Sequence, residues 1–160
     1  MAGKTVTRAT AAVPFVFRFV LTVLEPLAAV SGAWMCLRNP GNYLTIMTRD
    51  AHPFTESETF MYTTVGGSWI YFAFIQAVVM RLFDDVRLWR YLCAGILLSD
   101  AAYCHATAQA VGGWNVWLDV ANWTRDDHMV FWSTWPQIII RVLVVLGVGL
   151  KKVPGQKKHN

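Results

Sequence analysis

Four ionisable side chains, Arg18, Glu25, Asp100 and Arg141, sit inside stretches that are otherwise apolar enough to cross a bilayer. A charge on the lipid face of a spanning helix costs roughly 2.5–3.5 kcal/mol at the helix centre on insertion scales, so such groups turn inward and mark a buried network or a site. Counting about 1.5 Å per residue along each stretch brings Glu25, Asp100 and Arg141 to one depth near the midplane, from three different helices. Arg18 lies nearer one face, where it can snorkel. Two carboxyl groups held close together do not both ionise, and one keeps its proton. An acid beside a carboxylate is equipment for protonating an alkene or epoxide and for steadying the carbocation that follows. Glu25 and Asp100 are therefore the candidate catalytic pair, as acid and cation stabiliser, with Arg141 fixing their protonation states.

Each of these residues has polar company at helical spacing. Arg18, Thr22 and Glu25 share a face that continues through Ala29 and Gly32. Pro26 lacks an N–H, which frees the carbonyl of Thr22 and bends the helix beside its acid. Asp100, Tyr103 and Thr107 form a second stripe, and Thr134, Gln137 and Arg141, near Pro136, a third. A fourth is offered by Thr64, Ser68 and Tyr71, with Gly66-Gly67 allowing close helix approach. The four stripes are expected to converge on one interior, which makes Thr22, Tyr71, Tyr103, Thr107, Gln137 and Arg141 the candidate substrate-binding residues. The competing reading is a structural network, with Arg141 between two carboxylates and nothing bound. His105 lies about 140° around the helix from Asp100 and reads as a packing or interface histidine. Cys36, Cys93 and Cys104 have neither the number nor the setting for a disulfide framework or a zinc site. No Gly-rich phosphate loop, metal-ligand spacing or Ser-His-Asp order occurs, so no cofactor and no metal is expected.

The elements that must position these residues follow from composition. Of 160 residues, 55% are hydrophobic and only 15% charged, where a water-soluble domain carries about a quarter charged residues. Together with eight Trp, nine Phe and five Tyr, this excludes a disordered chain, a coiled coil and a nucleic-acid binder whose +4 charge tracks phosphates. Four stretches have roughly the 20 apolar residues of a spanning helix, at 14–36, 60–80, 88–111 and 130–150. Arg38-Asn39-Pro40-Gly41 ends the first, and Thr55 with Glu58 has capping-box spacing before the second. Asp84-Asp85 suits the start of the third, and Gly112-Gly113 its end. The expected fold is an all-α integral membrane protein, a four-transmembrane-helix bundle forming a single domain over residues 1–160.

Orientation follows from the basic residues. Lys4, Arg8, Arg81, Arg87, Arg90, Lys151, Lys152, Lys157 and Lys158 fall on one side, and only Arg38, Arg49 and Arg125 on the other. The positive-inside rule then makes both termini cytosolic, with 151–160 a short basic tail. The first span is too long, and too charged at Arg18 and Glu25, for a cleaved signal peptide. Trp34, Trp114, Trp117, Trp123, Trp132 and Trp135 gather at the opposite interface, as an aromatic belt or as a lid over a site. The chain ends Lys157-Lys158-His159-Asn160, which resembles the dilysine retrieval signal of the endoplasmic reticulum; a generic basic tail on anionic headgroups is the alternative.

Leu24-Glu25-Pro26-Leu27 in the first span and Leu98-Ser99-Asp100 in the third carry a resemblance to a small fungal four-span membrane protein family of unknown function. In layout the chain is similar to the emopamil-binding-protein-like (EXPERA) bundles of the endoplasmic reticulum, which include sterol isomerases and ligand-binding proteins. Membrane-bound fungal terpene cyclases look similar in pairing a Glu with an Asp inside the membrane. The resemblance implies an endoplasmic reticulum protein that binds a sterol- or terpenoid-like molecule in an acidic intramembrane pocket and isomerises or cyclises it, in the manner of secondary metabolism. The expected partners are thus a hydrophobic small molecule and the lipid bilayer, with no nucleic acid and with homo-oligomerisation left open. The alternative is a non-catalytic binding or assembly protein whose buried charges are structural.

Overall fold

The structure, a computed structural model, describes residues 7–151. The Lys157-Lys158 pair lies outside the described residues. Within them the chain is helical, without strands: α1 (Ala9–Ala12), α2 (Phe15–Arg38), α3 (Pro40–Thr48), α4 (Glu56–Leu82), α5 (Val86–Ala110), α6 (Trp114–Trp117) and α7 (Arg125–Leu146). Helices α2, α4 and α7 are long and apolar enough to cross a membrane. At 25 residues α5 has the length, but Arg87, Arg90, Asp100 and a run of Ser, Tyr, His, Thr and Gln make it more polar than the other three. Phe15, Leu27, Val30, Trp34, Phe60, Leu98, Trp132 and Leu146 all point outward, an apolar girdle of the kind that hydrocarbon covers.

Local chemistry sets the helix ends. Asp85 caps α5 by accepting from the Arg87 N–H at 2.8 Å, and Gly112 and Gly113, both at positive φ, stop the chain after α5. At the start of α7, Thr124 and Asp127 form a reciprocal capping box. The first loop departs from the sequence reading. Asn39-Pro40-Gly41 does end α2, but it also opens α3: the Asn39 side chain accepts from the Asn42 N–H at 3.2 Å, and Pro40 takes the first helical position.

The long helices pack as two antiparallel pairs. In α2–α4, Thr22 meets Arg81, Gly32 meets Trp69, and Gly66 meets Ala33 and Leu37. A Cβ on Gly32 would fall 2.1 Å from Trp69 Cζ3, so this glycine is what lets the indole lie against α2. In α5–α7, Asp100 meets Arg141 and Arg90 meets the Val145 carbonyl. Both helices of the first pair contain a π-helical segment, Val20–Leu24 and Ile75–Val79, and the two segments pack on each other. Such segments recur at functional sites.

Apolar clusters close the two ends of the bundle. One joins Ala9, Ala12, Val13, Leu21, Met80, Trp89 and Val144; the other joins Met47, Ala108, Trp117 and Val130, with Trp123 and Phe131 packed on it. Trp117 and Trp123 therefore belong to the end cap, tied by a 2.8 Å bond from the Trp123 indole to the Trp117 carbonyl. Trp34 and Trp132 face outward, as belt residues do.

Candidate functional site

Arg141 sits in the middle of the bundle, 3% exposed. Its Nη1 donates to Asp100 Oδ2 of α5, and its Nη2 pairs with Glu25 Oε1 of α2. One guanidinium thus bridges the two helix pairs and holds both carboxyl groups at one level. The triad does not exhaust its own hydrogen-bonding capacity. Glu25 Oε2 and Arg141 Nε are buried without a partner, as is Gln137 Oε1 one turn away on α7. Buried polar atoms are nearly always paired, so three such atoms on residues of one cluster call for an explanation.

All three side chains line a cavity of about 360 Å³ between the end clusters, within the roughly 300–1,000 Å³ of small-molecule sites. The triad and Gln137 form its polar floor. Trp69 and Phe72 of α4 and Ile96 and Tyr103 of α5 supply its walls, and Tyr43, Ile46 and Met47 of α3 its roof. The Trp69 ring meets Tyr43 edge-on at 5.8 Å and Tyr103 at 5.9 Å. Burial pushes the Tyr43 hydroxyl far above the ordinary phenol value, with the neighbouring Tyr103 adding to it, so Tyr43 stays neutral. The roof is pinned at its far end, where Arg49 Nε pairs with the buried Asp127 Oδ2 at 3.1 Å. Among the described residues, no group of three or more His, Cys, Asp or Glu could hold a metal ion.

Of the residues singled out from sequence, Glu25, Asp100, Tyr103, Gln137 and Arg141 line this cavity, while Thr22, Tyr71 and Thr107 do not. Thr22 is buried, but its hydroxyl donates to the Arg18 carbonyl at 2.9 Å. Thr107 bonds the Tyr103 carbonyl in the same way, also at 2.9 Å. Tyr71 is 59% exposed on the outside of α4, and its companions Thr64 and Ser68 return their hydroxyls to carbonyls of their own helix. Three polar stripes therefore reach the interior, and the stripe on α4 faces out. What α4 turns inward is Trp69, Phe72 and Gln76, only one of them polar and so outside any polar stripe. Gln76 is 1% exposed, with both amide atoms unpartnered. The α2–α4 register puts it level with Glu25. His105 is exposed and stacks on Trp114, at 6.2 Å between ring centroids.

Residues 10–151 match the family described as Domain of unknown function (DUF7704). The chain belongs to that family. No curated protein and no solved structure matches the chain. The DUF7704 match runs from α1 past the end of α7, so cavity, roof and triad all fall within the family's own segment.

Proposed function

We propose that this DUF7704 protein is a four-span endoplasmic reticulum membrane protein, with both termini cytosolic, that binds a sterol- or terpenoid-like molecule in the cavity and isomerises or cyclises it by acid–base chemistry. The observation that carries the reading is an apolar cavity floored by two carboxyl groups on one guanidinium, with Glu25 Oε2 left free. One guanidinium offsets one carboxylate, and in so dry a place the second is balanced by a proton. Glu25 donates that proton to a substrate carbon, leaving a carboxylate. The cation formed is steadied by Asp100 and by the faces of Trp69 and Tyr103. Loss of a neighbouring C–H proton back to the Glu25 carboxylate completes an isomerisation, with no cofactor consumed.

The four-span topology draws support from α5 having the length to cross. It also draws on the meeting of α1, the Asp84 loop and Lys151 at one end of the bundle, the end that, among the described residues, also carries Arg8, Arg81, Arg87 and Arg90. A second reading, a purely structural triad, is favoured by the occupation of both carboxyl groups by Arg141. Lipid extraction from purified protein separates the two. Wild type should retain an apolar molecule that Glu25→Gln, still folded, releases. Nothing retained by wild type would overturn the ligand-site reading. For the address, replacing Lys157 and Lys158 with Ser should release an N-terminally tagged protein from the endoplasmic reticulum, and replacing Lys151 and Lys152 should not.

A further inference from the structure

Most of the cavity's boundary is closed by contacts already described. The Trp69 ring fills the gap over Gly32 between α2 and α4, and its edge contact with Tyr103 closes α4 against α5. The Asp100–Arg141 pair holds α5 to α7. Helix α3 roofs the cavity, with the Arg49–Asp127 pair at one end and the Tyr103 hydroxyl, 3.7 Å from Met47 Sδ, beneath it. Below, the π segment of α2 packs on α7. One side differs. Ala28 and Ser31 of α2, and Met129 and Ser133 of α7, line the cavity and are also exposed at the molecular surface. A residue that borders both the inside and the outside marks an opening, and these four face one another across the gap between α2 and α7. That gap is flanked by the outward-facing Leu27, Val30 and Trp132, side chains that hydrocarbon surrounds.

The floor specifies what should come through. Gln137 Oε1 is an acceptor in want of a donor, and Arg141 Nε, one turn further along α7, is a donor in want of an acceptor. A ketone or ether cannot donate. An ammonium cannot accept, and its charge is expensive to carry through hydrocarbon. A hydroxyl does both and is neutral.

We propose that the cavity is filled sideways from the bilayer, through the α2–α7 opening, by a membrane-dissolved alcohol that enters hydroxyl first, donating to Gln137 Oε1 and accepting from Arg141 Nε. This rests on the cavity being a ligand site, and it names the substrate class and the route.

The test uses two probes in phosphatidylcholine vesicles that contain the full-length protein: a long-chain alcohol bearing a photoreactive diazirine and an alkyne, and its methyl ether. The alcohol should label peptides carrying Met35 and Met129. The ether should label them about tenfold less, the loss expected when one buried acceptor is left unpaired. Narrowing the opening with Ala28→Leu and Ser133→Leu should slow labelling while leaving its final extent unchanged. Releasing the roof with Arg49→Gln should leave the rate as in wild type. Equal labelling by the ether overturns the alcohol assignment, and a wild-type rate in the narrowed variant, or a faster one in Arg49→Gln, overturns the lateral route. Absence of cavity labelling by either probe overturns the ligand-site reading itself.

Discussion

Arg81 Nη2 donates to the Thr22 carbonyl at 2.7 Å, joining α4 to α2 across their paired π segments. That carbonyl lacks its usual helical donor because the residue four positions on is Pro26. The proline creates a vacancy beside Glu25, and an arginine from the neighbouring helix fills it. This is how α2 stays joined to α4 while its backbone is loosened one residue before the acid.

The pairing makes a thermodynamic cycle informative. Arg81→Met should lower stability in detergent by about 1–3 kcal/mol, because the Thr22 carbonyl loses its partner. Pro26→Ala restores an N–H, so in that background the Arg81 change should cost clearly less. Thermal unfolding of the four proteins measures the coupling; strictly additive losses would show that Pro26 and Arg81 do not serve the same carbonyl.

The triad should respond unequally to its three members. Arg141→Met strands both carboxyl groups and should cost about 3–5 kcal/mol. Glu25→Gln keeps shape and an accepting oxygen, so it should unfold close to wild type while losing retained ligand. The double variant should recover little. A destabilised Glu25→Gln rescued by Arg141→Met would instead mark the triad as scaffold.

Acid sensitivity should trace to Asp84. Burial raises its carboxyl, but the Thr10 hydroxyl and N–H, the Arg8 charge and the Ala9 N–H outweigh that, and the group ends below its ordinary 3.8. A carboxyl lowered on folding stabilises the fold fully above its unfolded value, and the gain is lost as pH falls through the folded one. Unfolding followed from about pH 6 to pH 3 should show a shallower acid loss in Asp84→Asn than in wild type. An unchanged slope would remove Asp84 from the account.

Topology can be read at Asn122-Trp123-Thr124, a glycosylation sequon that the proposed orientation puts in the lumen. Asn122 Nδ2 already donates to Asp119 Oδ2 at 2.8 Å, and the Thr124 hydroxyl is held by Asp127 at 2.8 Å as part of the α7 cap. Little native glycan is expected. A flexible insert with its own sequon between Leu118 and Asp119 spares that cap and should be glycosylated. Modification of a sequon added at the C-terminus instead would invert the topology.

Depth counting in the sequence was enough to group Glu25, Asp100 and Arg141, because a midplane charge has few places to go. It failed on α4 for a physical reason: Thr64 and Ser68 can satisfy their hydroxyls on their own helix, four residues back, and so face lipid without penalty. Gln76 is too long and has too many donors for that, and it was the polar residue on α4 that did point inward. The roof is ambiguous in the sequence because Asn39-Pro40 ends one helix and equally starts the next. The portal could not be read from sequence at all, since it exists only as a gap between two helices distant in the chain.

The junction at the other end has a consequence for biosynthesis. The Thr7 carbonyl accepts from the Val86 N–H, the Thr10 hydroxyl reaches Asp84, and the Ala12 carbonyl accepts from the Lys151 N–H. The segment ahead of α2 is therefore tied both to the loop between α4 and α5 and to Lys151 beyond α7. While α7 is still in the ribosome, Ala9, Ala12 and Val13 have no Val144 to pack against, and the half-made protein displays an apolar patch where the finished one has a seal. Concealment of that patch therefore waits until α7 has docked, which gives cellular quality control a feature by which to tell a chain with α7 in place from one without it.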